Sequence, residues 1–490
     1  MSTIHGTARL LFPAIRWDYE AGSFDAYRPT VERGRERGVG GYILFGGPAA
    51  EVRELIAELR AGSPHPLLIG ADLERGAGQQ FEGAVTLPPP GALASLDDPS
   101  LTRRAGELTA REARALGIDW VYAPVADLDL EARNPIVGSR AFGSDPVSAS
   151  RHVRAWIEGC RAGGALTCAK HFPGHGRTTA DSHLQLPSVD VPASALEADL
   201  APFRAAIEAQ VDSVMTAHVA YPAYDPSGAP ATLSRPILTG LLRERLGFEG
   251  IVVTDALIME GVQGPGGTEG DAAVRAVAAG CDALLYPRDL DRVASALAGA
   301  AGTDRLPDDR TAEAVARVQA AADAMAERAS AREDVGDAVP GWGAEEDRAW
   351  ALWVASRAIG PLRGEPRGAP AIELLTVDDD AGGPFAVRPR RGFAGPLRDA
   401  GMSVRVVEKP TGALPLVVAL YADIRGFKGR PGLSRSAIGT LGAAVARARS
   451  ATVVLFGHPR LAPEVPGERL LGAWGGEPLM EEAAARWLAG

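Results

Sequence analysis

The chain of 490 residues has only three cysteines, Cys160, Cys168 and Cys281, spaced far apart and outside any metal-binding or redox motif. An odd, scattered set excludes a disulfide-stapled secreted fold and fits reduced thiols in a cytoplasmic protein. Basic charge is short as well: the formal net charge is −11, and no basic, aromatic-laced patch offsets it. Nucleic acid and anionic membrane surfaces are therefore not expected partners. Long apolar runs are missing. Residues 10–15 are apolar but broken by Pro13, so neither a signal peptide nor a membrane span of about 18 apolar residues is expected. No internal repeat is visible. What is present is ordinary globular material, 46% hydrophobic and 23% charged. That is enough for a sizeable core in a chain long enough for two domains.

Apolar runs that read as strands fall at residues 8–15, 41–45, 67–71, 120–125, 165–169, 213–217, 251–254 and 283–286. Helical patterns lie between them, at 101–116, 147–162, 195–208, 236–246 and 271–279. Eight strands separated by helices predict a TIM-like (β/α)8 barrel; a doubly wound sheet is the alternative. An Ala-rich helix is expected over 311–332, and VGDAVPGWGAEE at 335–346 reads as a linker. Apolar runs return at 372–377, 404–407, 416–420 and 452–456, with helices between and an amphipathic one near 478–488. The expected architecture is α/β throughout. A catalytic barrel covers 1–335, a linker 336–348, and a smaller three-layer α/β domain with a mainly parallel sheet 349–490.

Polar residues follow directly on the predicted strands: Asp72 and Glu74, Asp127, Lys170 and His171, His218, and Asp255. In a barrel these positions converge on one face, although charged residues there could equally be solvated loop positions. The densest chemistry is KHFPGHGRTTADSH at 170–183. Pro173, Gly174 and Gly176 punctuate it, so it reads as a loop after a buried strand. Asp181 and His183 are spaced i, i+2. In an extended segment both side chains would face one side, where the carboxylate could orient the imidazole as a general acid. An incidental surface pair is the plainer reading. Asp255 ends a β-branched apolar run, where a carboxylate can be held rigid and ionised as a nucleophile requires; a helix cap is the bland alternative. His171 and His175 have a metal-like spacing but no third ligand, so no metal and no cofactor is expected.

Four segments together resemble family 3 glycoside hydrolases, in their β-N-acetylglucosaminidase branch. They are 170–176 with Asp181–His183, AHVAYPAYDPSGAPATLS at 217–234, GFEGIVVTDAL at 247–257, and NPIVGSRAFGSDP at 134–146. The resemblance covers roughly residues 8 to 300 in order. It implies a retaining, exo-acting β-N-acetylhexosaminidase, for which peptidoglycan fragments or chitin oligosaccharides would be natural substrates; separately, a monomer or homodimer is expected. The resemblance also implies that Asp255 is the nucleophile and His183 the acid/base, with Asp181 completing a dyad. Asp72, Arg140, Lys170 and His171 match positions that grip sugar hydroxyls. Arg140 could instead be a salt-bridge partner at the barrel mouth, and His175 is read as shaping the loop.

One segment departs from the family pattern. After Asp72, where the family has two arginines, Ala77 and Gln80 stand instead. The Gln80 amide can still bridge a hydroxyl, but without charge. A β-glycoside phosphorylase or a β-glucosidase on the same scaffold is the alternative activity. A metal-dependent amidohydrolase would need His-x-His on the first strand, which is absent. A sugar-binding protein would not need Asp255 with the Asp181–His183 pair. The C-terminal domain is expected to be structural or substrate-shaping. Asp378–Asp380 and Glu468 are its conceivable acid/base candidates.

Overall fold

The structure, a computed structural model, is described for residues 6–263, 267–334, 341–380, 392–426, 428 and 430–490. The first predicted strand forms in two pieces, β1 (Leu11–Phe12) and β2 (Ala14–Arg16), divided at Pro13. Proline has no N–H to give to a ladder, so the chain changes partner there. β2 starts an all-parallel sheet that runs through β3 (Gly41–Phe45), β4 (Leu68–Ala71), β5 (Trp120–Val121), β6 (Leu166–Phe172), β7 (Ser213–Thr216) and β8 (Ile251–Thr254). β1 pairs with β9 (Leu284–Leu285), and a bridge from Val253 to Ala283 joins β9 back to β8. The sheet therefore closes as a TIM-like barrel, not as a doubly wound sheet.

Helices flank it where the periodicity predicts. Pro99–Leu116 starts on Asp98, whose carboxylate accepts from Ser100 N–H, and Pro146–Ala162 starts the same way on Asp145. Each has proline in its first turn, where no donor is needed. The barrel interior is packed with Phe12, Leu68, Trp120 and Met215. Val318, Ala322 and Met325 of the long helix Asp308–Asp334 join this cluster. That helix covers the N-terminal ends of the strands. There fully buried Asp282, just before β9, holds Arg243, Arg310 and Arg317. The opposite, C-terminal ends are left for chemistry.

Of the predicted linker, residues 335–340 lie outside the described residues. The helix Glu345–Ala358 begins within the rest. Trp350, Ala351 and Val354 of this helix pack on the barrel core, while Ala355 joins the core of the following sheet. That sheet has the order β10-β15-β14-β13-β11-β12. Its strands are β10 (Gly360–Arg363), β11 (Ala371–Asp378), β12 (Ser403–Val406), β13 (Leu416–Ala422), β14 (Ala451–Gly457) and β15 (Leu470–Gly472). Among the described residues only the β10–β15 pair is antiparallel. Helix Arg435–Arg447 covers one face, and Ala394–Asp399 with Pro478–Ala489 the other. These are the three expected layers. β10 and β15 escape sequence reading: β10 carries Pro361 and two exposed positions, and β15 has three residues.

Candidate active site

A cavity of about 960 Å³ opens at the C-terminal ends of the barrel strands. Lys170 and His171 line it from within β6, so the 170–183 motif begins in the strand rather than in a loop. Its backbone groups explain the extension. Ala126 N–H donates to Lys170 O at 2.7 Å and Ala217 N–H to Phe172 O at 2.8 Å. Partnered on both sides, the strand continues until Pro173 stops it. Gly176 then passes so close to the Leu128 backbone that a Cβ would lie 1.8 Å from its carbonyl oxygen. No other residue type fits there.

Lys170 is buried at 2% exposure, with Nζ 2.6 Å from Asp72 and 2.7 Å from Glu74. Arg140 reaches the same Glu74 carboxylate with both Nε, at 2.9 Å, and Nη2, at 2.7 Å. Burial would raise the Glu74 pKa, but Arg140 and Lys170 outweigh it and hold the carboxyl well below its usual range. Burial likewise pulls Lys170 down, yet Asp72 and Glu74 leave it raised. All four side chains line the cavity. Arg140 is thus both a salt-bridge partner and a wall residue.

His171 is oriented by Asp127, which accepts from Nδ1 at 2.7 Å and from His171 N–H at 3.1 Å. The other ring nitrogen lies 3.9 Å from Asp255 Oδ2. Asp255 follows β8 and accepts from Ala256 N–H at 2.8 Å. Burial works against its charge, but the facing imidazoles of His171, His218 and His183 bring its pKa down to about 2. An ionised carboxylate held in this way is a competent nucleophile. His218 is buried and hydrogen-bonded to Thr232 and to Ala256 O, and burial lowers its pKa.

Asp181 and His183 do meet, though not in the extended geometry expected. Residues 182–184 form a turn in which Leu184 and Gln185 N–H both donate to Asp181 O. The Asp181 carboxylate closes that turn by accepting from His183 N–H at 2.9 Å, and the same oxygen takes His183 Nδ1 at 2.7 Å. A short acidic side chain bonded to the backbone two residues on overrides strand-like alternation. Buried His175 shapes the loop: Nδ1 meets Thr178, and Nε2 meets Ser182 at 3.0 Å. Burial takes its pKa down to about 4, which leaves it neutral. Gly261 N–H to Ser182 O, at 3.2 Å, docks the turn onto the segment that follows Asp255. Gln80 lines the cavity while its Oε1 accepts from Gly46 N–H at 3.2 Å. Among the described residues, no cluster of three His, Cys, Asp or Glu is arranged to hold a metal ion.

The glycosyl hydrolase family 3 N-terminal domain model matches residues 28–321. The chain belongs to glycosyl hydrolase family 3. It is a glycosidase, acting on carbohydrate. A protein named beta-hexosaminidase from Chromobacterium violaceum is 41% identical over 275 residues, 53% of this chain and 76% of that one. A Cellulomonas fimi protein named beta-N-acetylglucosaminidase/beta-glucosidase is 34% identical over 416 residues, covering 79% and 72%. The solved structure of a family 3 beta-N-acetylglucosaminidase from Paenibacillus sp. strain FPU-7 superposes with a TM-score of 0.84 at 28% identity, covering 100% of this chain and 97% of that one. A beta-glucoside phosphorylase superposes equally, at 0.84 and 24% identity, covering 100% and 92%. That likeness shows the fold alone.

The family 3 site here is not made by the barrel alone. Asp423, Arg425, Gly426 and Glu477 of the second sheet's domain line the same cavity. Arg75, buried beside Glu74, forms an ion pair with Glu477, donates to Ser139 Oγ at 3.2 Å and lies 3.8 Å from Asp423. A guanidinium is therefore present in the segment after Asp72, but it points to the second domain. Asp378, Asp379, Asp380 and Glu468 do not line the cavity. Asp379 instead binds Arg430 and Ser434, and Asp380 accepts from Asp423 N–H and Lys428, so both brace the chain that reaches the site. Sequence reading placed Asp127 and His218 at strand ends without a role. It gave no signal at all for Arg75, Asp423 or Glu477, whose contacts span more of the chain than any motif.

Proposed function

We propose that this family 3 enzyme is a retaining, exo-acting β-N-acetylhexosaminidase. It removes terminal β-linked N-acetylglucosamine from glycans such as peptidoglycan fragments or chitin oligosaccharides. Asp255 attacks the anomeric carbon. His183, its Nδ1 fixed on Asp181, gives a proton from Nε2 to the leaving oxygen. The same imidazole then takes a proton from water, which hydrolyses the glycosyl-enzyme and releases the sugar with its original configuration. Asp72, Lys170, Arg140, His171 and Gln80 hold the sugar's hydroxyls and fix the ring against Asp255. A cytoplasmic setting is supported by Cys160, Cys168 and Cys281, all buried and unpaired.

The observation that carries this reading is the His183–Asp181 hydrogen bond of 2.7 Å in the wall of the cavity that holds Asp255. The names of the relatives support the sugar. A neutral imidazole also repels an incoming anion less than a carboxylate would, which keeps phosphate open as the acceptor. The test is a panel of aryl N-acetylglucosaminide, N-acetylgalactosaminide, glucoside and xyloside, run with and without phosphate. Fastest release from the N-acetylglucosaminide, with free sugar as product, is expected. Preference for the glucoside would refute the hexosaminidase, and sugar 1-phosphate as the main product would refute the hydrolase.

A further inference from the structure

The segment 423–426 leaves the end of β13 and enters the cavity. Its first residue is held on both sides. Asp423 N–H donates to Asp380 Oδ1 at 2.8 Å, and Lys428 Nζ bridges Asp380 Oδ1, at 2.9 Å, and Asp423 O, at 2.8 Å. The Lys428 and Asp380 side chains are 4% and 1% exposed, so this brace is shielded from water. The barrel grips the segment as well. Arg75 lies 3.8 Å from the Asp423 carboxylate. Ile424 packs against Gly138, where an added Cβ would lie 2.9 Å from the Ile424 Cβ. Position 424 is thereby registered against the turn that carries Arg140.

Gly426 ends up on the ring of His183. A Cβ at Gly426 would lie 2.5 Å from His183 Cε1, 2.7 Å from Nδ1 and 3.1 Å from Nε2. Nearly equal distances to three consecutive ring atoms place that point over the face of the imidazole, not beyond its edge. The absent side chain is what admits the ring. This matters because the Asp181 bond fixes only one ring atom. The terminal torsion of histidine is broad, and a bond at Nδ1 does not by itself set it. A flat backbone surface against the face restricts that torsion.

We infer that Gly426 is a positioning residue for proton transfer: the C-terminal domain supplies a side-chain-free platform that holds the His183 imidazole in the plane the glycosidic oxygen requires. This rests on His183 being the acid/base. The platform makes the second domain part of the proton-transfer geometry, although its own carboxylates at 378–380 do not line the cavity.

The test is Gly426→Ala, assayed on aryl N-acetylglucosaminides of graded leaving-group pKa and on a disaccharide, beside His183→Ala. The new methyl must displace something, and the end of a side chain moves more cheaply than braced backbone. A shift of about 1 Å in a reacting group costs on the order of 100-fold. We expect a loss in kcat/KM of roughly 10- to 100-fold on the disaccharide and on poor leaving groups, and at most about twofold on dinitrophenyl substrates, whose leaving group needs no proton. The leaving-group dependence of kcat/KM should therefore steepen, as it should in His183→Ala. A uniform loss, or none, in Gly426→Ala while His183→Ala shows the steepening overturns the platform alone. Uniform losses in both variants overturn His183 as the acid. Should Gly426→Ala not fold, Asp380→Asn weakens the brace from outside the cavity; a kcat/KM that is unchanged, or lowered equally for all leaving groups, overturns the inference.

Discussion

Replacing Glu74 by Gln separates the structural part of the buried ionic cluster from the sugar-holding part proposed for it. Glu74 accepts from Arg140 at 2.9 and 2.7 Å and from Lys170 at 2.7 Å, and it is 4% exposed. Glutamine keeps the shape and one acceptor but turns an amide donor toward two cations. Removing one partner of a buried ion pair costs about 3–5 kcal/mol, because the other charge is left uncompensated. Two features move this case to the lower end. Lys170 keeps Asp72 at 2.6 Å, and the Arg140 side chain is 19% exposed, so cavity water can reach it. At about 3 kcal/mol, with a shift of about 2 °C per kcal/mol for a large domain, the barrel should melt roughly 6 °C lower.

The pH dependence of that difference has a definite sign. The folded-state pKa of Glu74 is lowered, so its stabilisation is fully present above the unfolded value. It is lost only as pH falls through the folded value, well below the usual carboxylate range. Calorimetry should therefore give the same gap between parent and variant from neutral pH down to about pH 5, closing only in stronger acid. Lys170 and Arg140 would also lose their common anchor, and KM should rise by about tenfold, the equivalent of roughly 1.4 kcal/mol of sugar contact. A variant that melts within about 1 °C of the parent at neutral pH would refute the cluster as a structural unit. One that melts lower with unchanged KM would refute its part in holding the sugar.

Asp255→Ala should abolish turnover of every glycoside while the melting temperature shows a folded protein; residual hydrolysis with retained configuration would remove Asp255 as nucleophile. His183→Ala should lower kcat/KM by about 10²–10⁴-fold on alkyl glycosides and disaccharides but little on dinitrophenyl ones. Because the Asp255 pKa lies at about 2, labelling by an activated fluoro sugar, which needs only the carboxylate, should keep its rate on acidification from neutral to about pH 4. A rate already halved there would show that the three imidazoles do not hold the charge. Arg460 spans the two domains, binding Asp129 in an ion pair and the Asn134 carbonyl. Arg460→Ala should split or broaden the thermal transition, and an unaltered single transition would show that the domains are fastened elsewhere.

What could be read from the sequence follows the range of the forces involved. The barrel was legible because each strand is an apolar run closed by its own stop, and closure then brings strand ends together without further information. That is why Asp72, Lys170, His171 and Asp255 could be gathered on one face before any coordinates. The Asp181–His183 pairing was legible, but its geometry was not. Strand-like alternation is a statement about backbone ladders, and at 181–183 no ladder forms because the Asp181 carboxylate bonds His183 N–H itself. Arg140 read as either clamp or salt bridge because the choice depends on where Glu74 lies, and only the fold sets that. The second domain's share of the site was invisible for a stronger reason. Arg75 meets Glu477, and Gly426 meets His183, across separations at which local pattern carries no information. A glycine in 423–430 reads as a turn residue in any sequence. It meets His183 only because Asp380, Lys428, Arg75 and Ile424 hold its backbone against an imidazole from the other domain.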